Sequence, residues 1–295
     1  MLKKFLFFIF KIIKILDWIL NRITKKSCLI YFNEFVNENS YKSIVILNNN
    51  VKFFIPNKTT EWRVNTFYSK EPETLEWINN FDKKSKIIFW DIGGNIGLYS
   101  IYAALKHSNI EVIVFEPSTS NLRVLSRNIF LNKLHNKIKI CQFPLTNKEN
   151  CFQLMNESGF EDGGALNSYG ENLDYKGEKF TSDQQYRIYG TSINYILDKN
   201  ILEIQNYIKI DVDGIEHFIL EGGNKYLKHP SIKSFSIELN ENFLEQFHSV
   251  NQIMKKNDYI FKHKKRSDCL NAAGNFNKTF NYVFEKREIV HKNLQ

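Results

Sequence analysis

Between residues 87 and 240 one alternation repeats: a short, mostly apolar run, then a segment with helical spacing. The runs are Ile87–Ile92, Val112–Phe115, Ile138–Cys141, Tyr207–Ile210 and Ser234–Glu238, and Leu98–Leu105, Asn121–Leu131 and Gly214–Glu221 have the helical pattern. A strand without a polar face must be buried on both sides, which a parallel sheet covered by helices provides. The expected fold is therefore α/β, a Rossmann-like sheet with helices on both faces. Tyr259–Lys262 and Phe280–Phe284 alternate with period two and read as late antiparallel strands of the same sheet. Apolar residues make up 43% of the 295, which excludes a disordered chain, and 5 Pro with 13 Gly leave no room for long linkers.

Three regions follow. Residues 85–295 form the main domain. Residues 27–84 are a lead-in with a small β-hairpin, 44–48 and 51–55 about an Asn-rich turn, and a short helix over 71–81. Residues 156–190 are polar, Gly-dotted and aromatic, and read as a loop covering a site. Cys28, Cys141, Cys151 and Cys269 show no CxxC or CxxH spacing, so neither a zinc site nor a disulfide framework is expected. His107 and His229 have no ligand spacing and read as surface residues.

Residues 1–26 are a distinct element. Lys11, Lys14 and Asp17 interrupt the apolar sequence, so a spanning helix is not expected, and no small-residue cleavage site follows the short run Phe5–Phe10. At 100° per residue, Lys3, Lys4, Lys11, Lys14, Asp17, Asn21, Arg22, Lys25 and Lys26 share one half of the wheel. Leu2, Phe5, Ile9, Ile12, Leu16 and Ile19 lie in the other, while Phe7 and Trp18 fall on the basic side. An apolar face opposite a basic stripe is the pattern of a helix lying in an anionic membrane surface. Packing on the domain or on a second subunit is the alternative. The net charge of +8 is thus assigned to membrane rather than nucleic acid. The expected location is cytoplasmic, peripheral on the inner face of the membrane.

The first apolar run ends in Asp91-Ile-Gly93-Gly94-Asn95-Ile-Gly97, at the edge where such sheets bind ligands. A dinucleotide fingerprint aligned on Gly97 needs Gly at position 92, where Ile92 stands, so a nicotinamide oxidoreductase is disfavoured. Leu98-Tyr99 after Gly97 excludes a Walker loop. A carboxylate at Asp91 would repel a pyrophosphate but attract a sulfonium and its amino-acid tail. Glu116 ends the next run, where ribose hydroxyls are bound. Together they suit a positively charged nucleoside without phosphate, which describes S-adenosylmethionine.

Asp91-Ile-Gly-Gly-Asn-Ile-Gly-Leu-Tyr-Ser, Val114-Phe-Glu-Pro-Ser and Tyr207-Ile-Lys-Ile-Asp-Val-Asp-Gly-Ile-Glu-His resemble the three signature blocks of FkbM-type methyltransferases. Thr66–Thr74, Gly164–Gly170, Ile237–Phe243 and Phe280–Phe284 resemble further segments of one subgroup. The resemblance implies a class I S-adenosylmethionine-dependent fold and O-methyl transfer to sugar hydroxyls of glycans or natural products. It also implies cofactor contacts from Asp91, Gly93, Gly94, Asn95, Gly97 and Glu116. Gly94 stands where relatives more often carry Ala, an exchange a tight turn should tolerate. Asn194 stands where many carry Asp, so no role is assigned there.

Asp211, Asp213, Glu216 and His217 cluster where the fourth parallel strand passes into its helix. Methyl transfer needs alignment, and a sugar hydroxyl needs a base or a metal to take its proton. Asp211 is the first choice, as base or as a contact to the cofactor. His217 and Glu216 are further catalytic candidates, against plain helix-terminus or solvated roles. A divalent metal is compatible with three carboxylates but not required by them. The expected acceptor is a sugar of a glycan, glycolipid or surface-polysaccharide precursor. Two rivals stay open: a metal-dependent glycosyltransferase using Asp211-Val-Asp213, and an inactive membrane-associated binding module.

Overall fold

The computed structural model describes residues 1–179, 181–266 and 278–287, so Cys269 lies outside the described residues. Helix α1 (Leu2–Thr24) and helix α2 (Cys28–Asn39) form a hairpin ahead of the domain. Strands β1 (Tyr41–Ile46) and β2 (Asn49–Phe54) follow, then helices α3 (Lys58–Asn65), α4 (Phe67–Lys70) and α5 (Pro72–Asn79). The β1–β2 turn is tighter than expected: Ile46 pairs with Asn49, and Leu47 and Asn48 both take positive φ. Such a two-residue turn matches the right-handed twist of the strands.

The alternating region contains β3 (Ile87–Ile92), α6 (Leu98–Lys106), β4 (Ile110–Phe115), α7 (Thr119–Leu131) and β5 (Ile138–Cys141). Next come β6 (Cys151–Glu157), β7 (Ser168–Tyr169), β8 (Gln184–Gly190) and α8 (Ile193–Asp198). The chain closes with β9 (Tyr207–Ile210), α9 (Glu216–Glu221), β10 (Ser234–Asn240), α10 (Leu244–Lys256), β11 (Tyr259–Lys265) and β12 (Thr279–Lys286). The main sheet has the order β11-β12-β10-β9-β3-β4-β5. β3, β4, β5, β9 and β10 are parallel, and β12 runs antiparallel to β10 and β11. This is a Rossmann-like α/β arrangement, with the strand order switching direction between β3 and β9.

All six residues of β3 are buried. Phe89 joins Val112, Val114, Ile101 and Leu125 on one face, while Trp90 and Ile92 join Ile113, Phe115, Ile208 and Ile210 on the other. The lead-in does not stand apart. Phe53, Phe54, Phe67 and Trp77 share the first of these cores, and Phe81 stacks on Tyr207 with ring centroids 3.8 Å apart.

Two sequence expectations change, and one helix was not foreseen. His107 is buried, stacked on Phe81 with Nε2 2.8 Å from the Ile78 carbonyl, because the end of α6 folds onto the lead-in. The segment 156–190 is not simply a loop: β6, β7 and β8 build a second, three-stranded antiparallel sheet. Gln184-Gln-Tyr-Arg-Ile-Tyr alternates half-buried and exposed positions, so β8 lacks the apolar run of a central strand. Helix α10 also escapes the sequence reading, although Phe247, Val250 and Met254 recur at helical spacing and pack against the second core.

Candidate active site

A cavity of about 380 Å³ opens at the carboxyl ends of β3, β9 and β10. The sheet register brings three turns together there. Ile92 pairs with Ile210, and Ile210 with Ile237, so the residues that follow each strand converge. The turn after β3 supplies Gly93 and Asn95, that after β9 supplies Asp211 and Asp213, and β10 supplies Glu238. Trp62 and Arg63 of α3 and Lys70 of α4 close one side. The segment from Ser158 to Leu166 lines the opposite side.

The first turn must be glycine for steric reasons. Gly93 has φ +86°, and a Cβ there would lie 1.9 Å from the Asp211 carbonyl oxygen. A Cβ at Gly97, φ +87°, would lie 2.5 Å from Leu125 Cδ1. At Gly94 it would meet Val114 Cγ2 at 2.1 Å. The exchange with Ala expected to be harmless therefore requires Val114 to repack, and a β-branched side chain has few rotamers with which to do so.

Asp91, 1% exposed, accepts a 2.5 Å hydrogen bond from Ser100 Oγ at Oδ2. Its Oδ1 and the Asn95 Oδ1 are buried with no hydrogen-bond partner among the described residues. Buried acceptors normally find a donor, so these two atoms fit a ligand bearing ammonium or hydroxyl groups. Glu116 is also buried and accepts from the backbone N–H groups of Asn95 at 2.7 Å and Ser118 at 2.9 Å. Its carboxylate thereby shapes the glycine turn. Burial pushes Glu116 up to about 8, against the pull of those N–H groups.

The second turn is built on a buried lysine. Lys209, 1% exposed, donates from Nζ to Asp211 Oδ2 at 2.5 Å and lies 3.9 Å from Glu71 Oε2. Burial opposes its charge, but the carboxylates of Asp211, Glu71 and Asp91 raise its pKa above the ordinary lysine range. Asp213, with φ +62°, accepts from the Leu166 N–H at 2.7 Å. Burial first, and the Asp211 charge second, push Asp213 up to about 6. Burial and the charges of Asp211, Asp213 and Glu71 hold Glu238 well above the usual carboxylate range.

Asp211, Asp213 and Glu238 each bring a carboxylate oxygen within 4.8 Å of the others, a set able to ligate a divalent cation. The two acids of the Asp-Val-Asp element thus share the cavity, while Val212 lines the neighbouring small apolar pocket. The segment opposite is pinned at both ends of the site. The Gly164 carbonyl accepts from Asn95 Nδ2 and Asn121 Nδ2, and Arg63 Nε donates to the Gly163 carbonyl at 2.6 Å.

Two catalytic candidates from the sequence do not line this cavity. Glu216 is buried and accepts from the backbone N–H groups of Val212 and Gly214 and from Gln246 Nε2, so it holds the turn that carries Asp211 and Asp213. His217 is 3% exposed and packs against Phe218 and Phe243, and burial lowers its pKa. Both belong to the packing beneath the turn, because α9 starts at Glu216 and carries them away from the strand end. Asn194 hydrogen-bonds to Asn224 and to the Lys225 N–H, outside the cavity lining. The sequence reading missed Glu238, Lys209, Glu71, Trp62 and Arg63. For Lys209 and Glu238 the available signal was a charged side chain inside an otherwise apolar parallel strand, whereas Glu71, Trp62 and Arg63 lie in or beside short upstream helices and carry no such signal.

The buried acids carry a pH signature. Glu116 and Glu216 are each pushed up to about 8, burial being the leading cause, whereas an unfolded glutamate titrates near ~4.3. Between those values the folded protein holds protons that the unfolded chain has released, so stability falls as pH rises through that window. The thermal midpoint should decline from pH 6 to pH 9, and less steeply in Glu216→Gln. A midpoint that is level or rising over that interval contradicts this account.

Residues 91–261 match the family described as Methyltransferase FkbM domain. Methyltransferase sdnD of Sordaria araneosa is 28% identical over an alignment of 151 positions that covers 45% of this chain and 58% of that relative's length. Among solved structures, the FkbM methyltransferase of Methylobacillus flagellatus KT aligns with 68% of this chain and 43% of its own, at 15% identity and a TM-score of 0.43. TrmK of M. capricolum in complex with S-adenosylhomocysteine aligns with 72% and 68%, at 11% identity and a TM-score of 0.41. Overlaps this loose say nothing of substrate. The family match is of a different kind, for it begins at Asp91 and runs through the glycine turn, Glu116, Asp211, Asp213 and Glu238 over more than half of the sequence: the chain belongs to the FkbM methyltransferase family.

Proposed function

We propose that this chain is an S-adenosylmethionine-dependent O-methyltransferase whose acceptor is a sugar hydroxyl in a glycan, glycolipid or surface-polysaccharide precursor. Family membership supports methyl transfer. The observation that carries the acceptor reading is the cavity itself, where Asp211, Asp213 and Glu238 face Arg63 and the half-exposed indole of Trp62. Carboxylates and a guanidinium serve hydroxyl groups from several directions, and an indole face covers the apolar side of a sugar ring.

The cofactor, when bound, supplies a methyl group already activated on a sulfonium. Asp91 Oδ1 and Asn95 Oδ1 are the free acceptors for its polar groups, and Glu116 stands at the ribose position at the end of β4. The acidic cavity favours a cation. Asp211, its charge held by Lys209, is a positioning group at the cavity floor. Asp213, pushed up to about 6, is ionised at neutral pH and still basic enough to take the hydroxyl proton at Oδ1, since Oδ2 is engaged by Leu166. The alignment of hydroxyl and methyl accounts for the rest of the acceleration.

Calorimetric titration with S-adenosylhomocysteine tests the cofactor. Wild-type protein should bind, and Asp91→Ala and Glu116→Ala should each weaken binding roughly tenfold to a hundredfold, the effect of removing a buried hydrogen-bonding side chain and leaving its partners unpaired. Heat with a UDP-sugar plus manganese and none with S-adenosylhomocysteine would overturn the reading in favour of sugar transfer at Asp211-Val-Asp213.

A further inference from the structure

Helix α1 has no buried residue along its 23 positions. Phe5, Ile9, Ile12, Leu16, Ile19 and Leu20 form an apolar sector, and every one of them is exposed. At about 1.5 Å per residue this face is roughly 24 Å long. Contiguous apolar surface of that extent is rare on a protein that meets only water. α2 does not cover it: Ile13 and Asp17, at the edge of the sector, are the two residues of α1 that become half-buried.

The charge around this face is one-sided. Residues 1–26 contain seven Lys and Arg against a single acid, Asp17, and so hold most of the chain's +8. Asp17 is consumed in the turn to α2, where Oδ1 accepts from Ser27 Oγ at 2.8 Å and from the Leu29 N–H at 3.1 Å. Phe7 and Trp18, two of the aromatics on the basic side, lie under Lys11 and Arg22 at 5.0 and 4.1 Å from the ring centroids. The charges on this half of the helix are therefore almost all positive, interleaved with exposed Phe and Trp side chains. No helix among the described residues is long and apolar enough to cross a membrane.

From this we infer that the α1–α2 hairpin docks on an anionic lipid bilayer surface, with the Phe5–Ile9–Leu16 face in the acyl boundary and the lysines at the headgroups. A second copy of the chain fits less well, because it would bring an equally basic helix alongside. The far end of the hairpin lies next to the cavity. Arg123 of α7 donates both to Asn37 Oδ1 of α2 and, at 2.7 Å, to Asp162 in the segment lining the cavity. Docking would hold the cavity near the headgroups, where a lipid-linked acceptor is presented; this last step rests on the acceptor reading above, whereas the docking itself does not.

Co-sedimentation of the full chain with vesicles tests docking without any methyl transfer. The probes are phosphatidylcholine alone and roughly three parts phosphatidylcholine to one of phosphatidylserine. Binding should require phosphatidylserine, fall with added salt, and drop about tenfold or more in Ile9→Asp with Leu16→Asp and in Lys11→Glu with Lys14→Glu. None of these side chains is buried, so folding should be unaffected, which unchanged circular dichroism and S-adenosylhomocysteine affinity would verify. Absence of vesicle binding, or binding that ignores the Ile9 and Leu16 changes, overturns the inference. So does a solution dimer that those two changes dissociate, which would assign the face to a second copy.

Discussion

Lys209→Met is expected to cost about 3–5 kcal/mol of folding stability, the penalty for stripping a buried charge of its partner. The lysine is 1% exposed and holds Asp211 at 2.5 Å and Glu71 at 3.9 Å, with Asp91 also within its field. Methionine fills much of the same volume, so packing loss is minor and the effect is electrostatic. Lys70 still pairs with Glu71 at 2.6 Å, but Asp211 would lose its cation partner and Asp91 the positive charge that acts on it. For a chain of this size the penalty corresponds to a drop of roughly 5–8 °C in thermal midpoint. Calorimetric unfolding at neutral pH measures it. Adding Asp211→Asn to Lys209→Met should recover part of the loss, since the two residues interact directly. An unchanged midpoint in the single variant would show that the lysine is not the counter-ion of this cluster.

Gly93→Ala is expected to abolish cofactor binding while leaving a weakened fold. The glycine has φ +86°, which an L side chain rarely adopts, and the new Cβ would lie 1.9 Å from the Asp211 carbonyl oxygen and 2.9 Å from its carbon. Relief requires the turns after β3 and β9 to separate, and these two turns form the floor of the cavity. Positive-φ strain alone costs about 1–3 kcal/mol, with overpacking of similar size added. The functional effect should be larger, because a 1 Å displacement of Asn95 or Asp211 misplaces every contact at once. S-adenosylhomocysteine affinity should fall at least about a hundredfold, read by the same titration as for Asp91→Ala. Near wild-type affinity in Gly93→Ala would mean that the two turns are not held as close as the geometry requires.

Much of this architecture follows from local chemistry. A six-residue, mostly apolar run bounded by a glycine turn reads as a strand buried on both faces, and the glycines after it permit a turn that other residues would clash in. That is why β3, its glycine turn, β4 with Glu116 at its end, and β9 with Asp211 are legible in the sequence, as is the two-sided character of α1. Each depends on residues within a few positions of one another. The turn at Glu216 and His217 looked equally legible, yet α9 directs both into packing, because which side of a helix faces a cavity depends on what the helix lies against.

The remaining site residues come together only through long-range register. Glu238 reaches the cavity because β10 lies beside β9 with Ile237 opposite Ile210, and Trp62 and Arg63 arrive from α3, far upstream. Lys209 is interpretable as a counter-ion only once Glu71 and Asp91 are seen on either side of it. Periodicity, glycine conformation and charge spacing are local properties, and they suffice to set the sheet, the glycine turn after β3 and the amphipathic helix α1. Burial and Coulombic coupling depend on distance in space rather than along the chain, so which carboxylates share one cavity and which hold the turn from beneath follows only from how the elements pack.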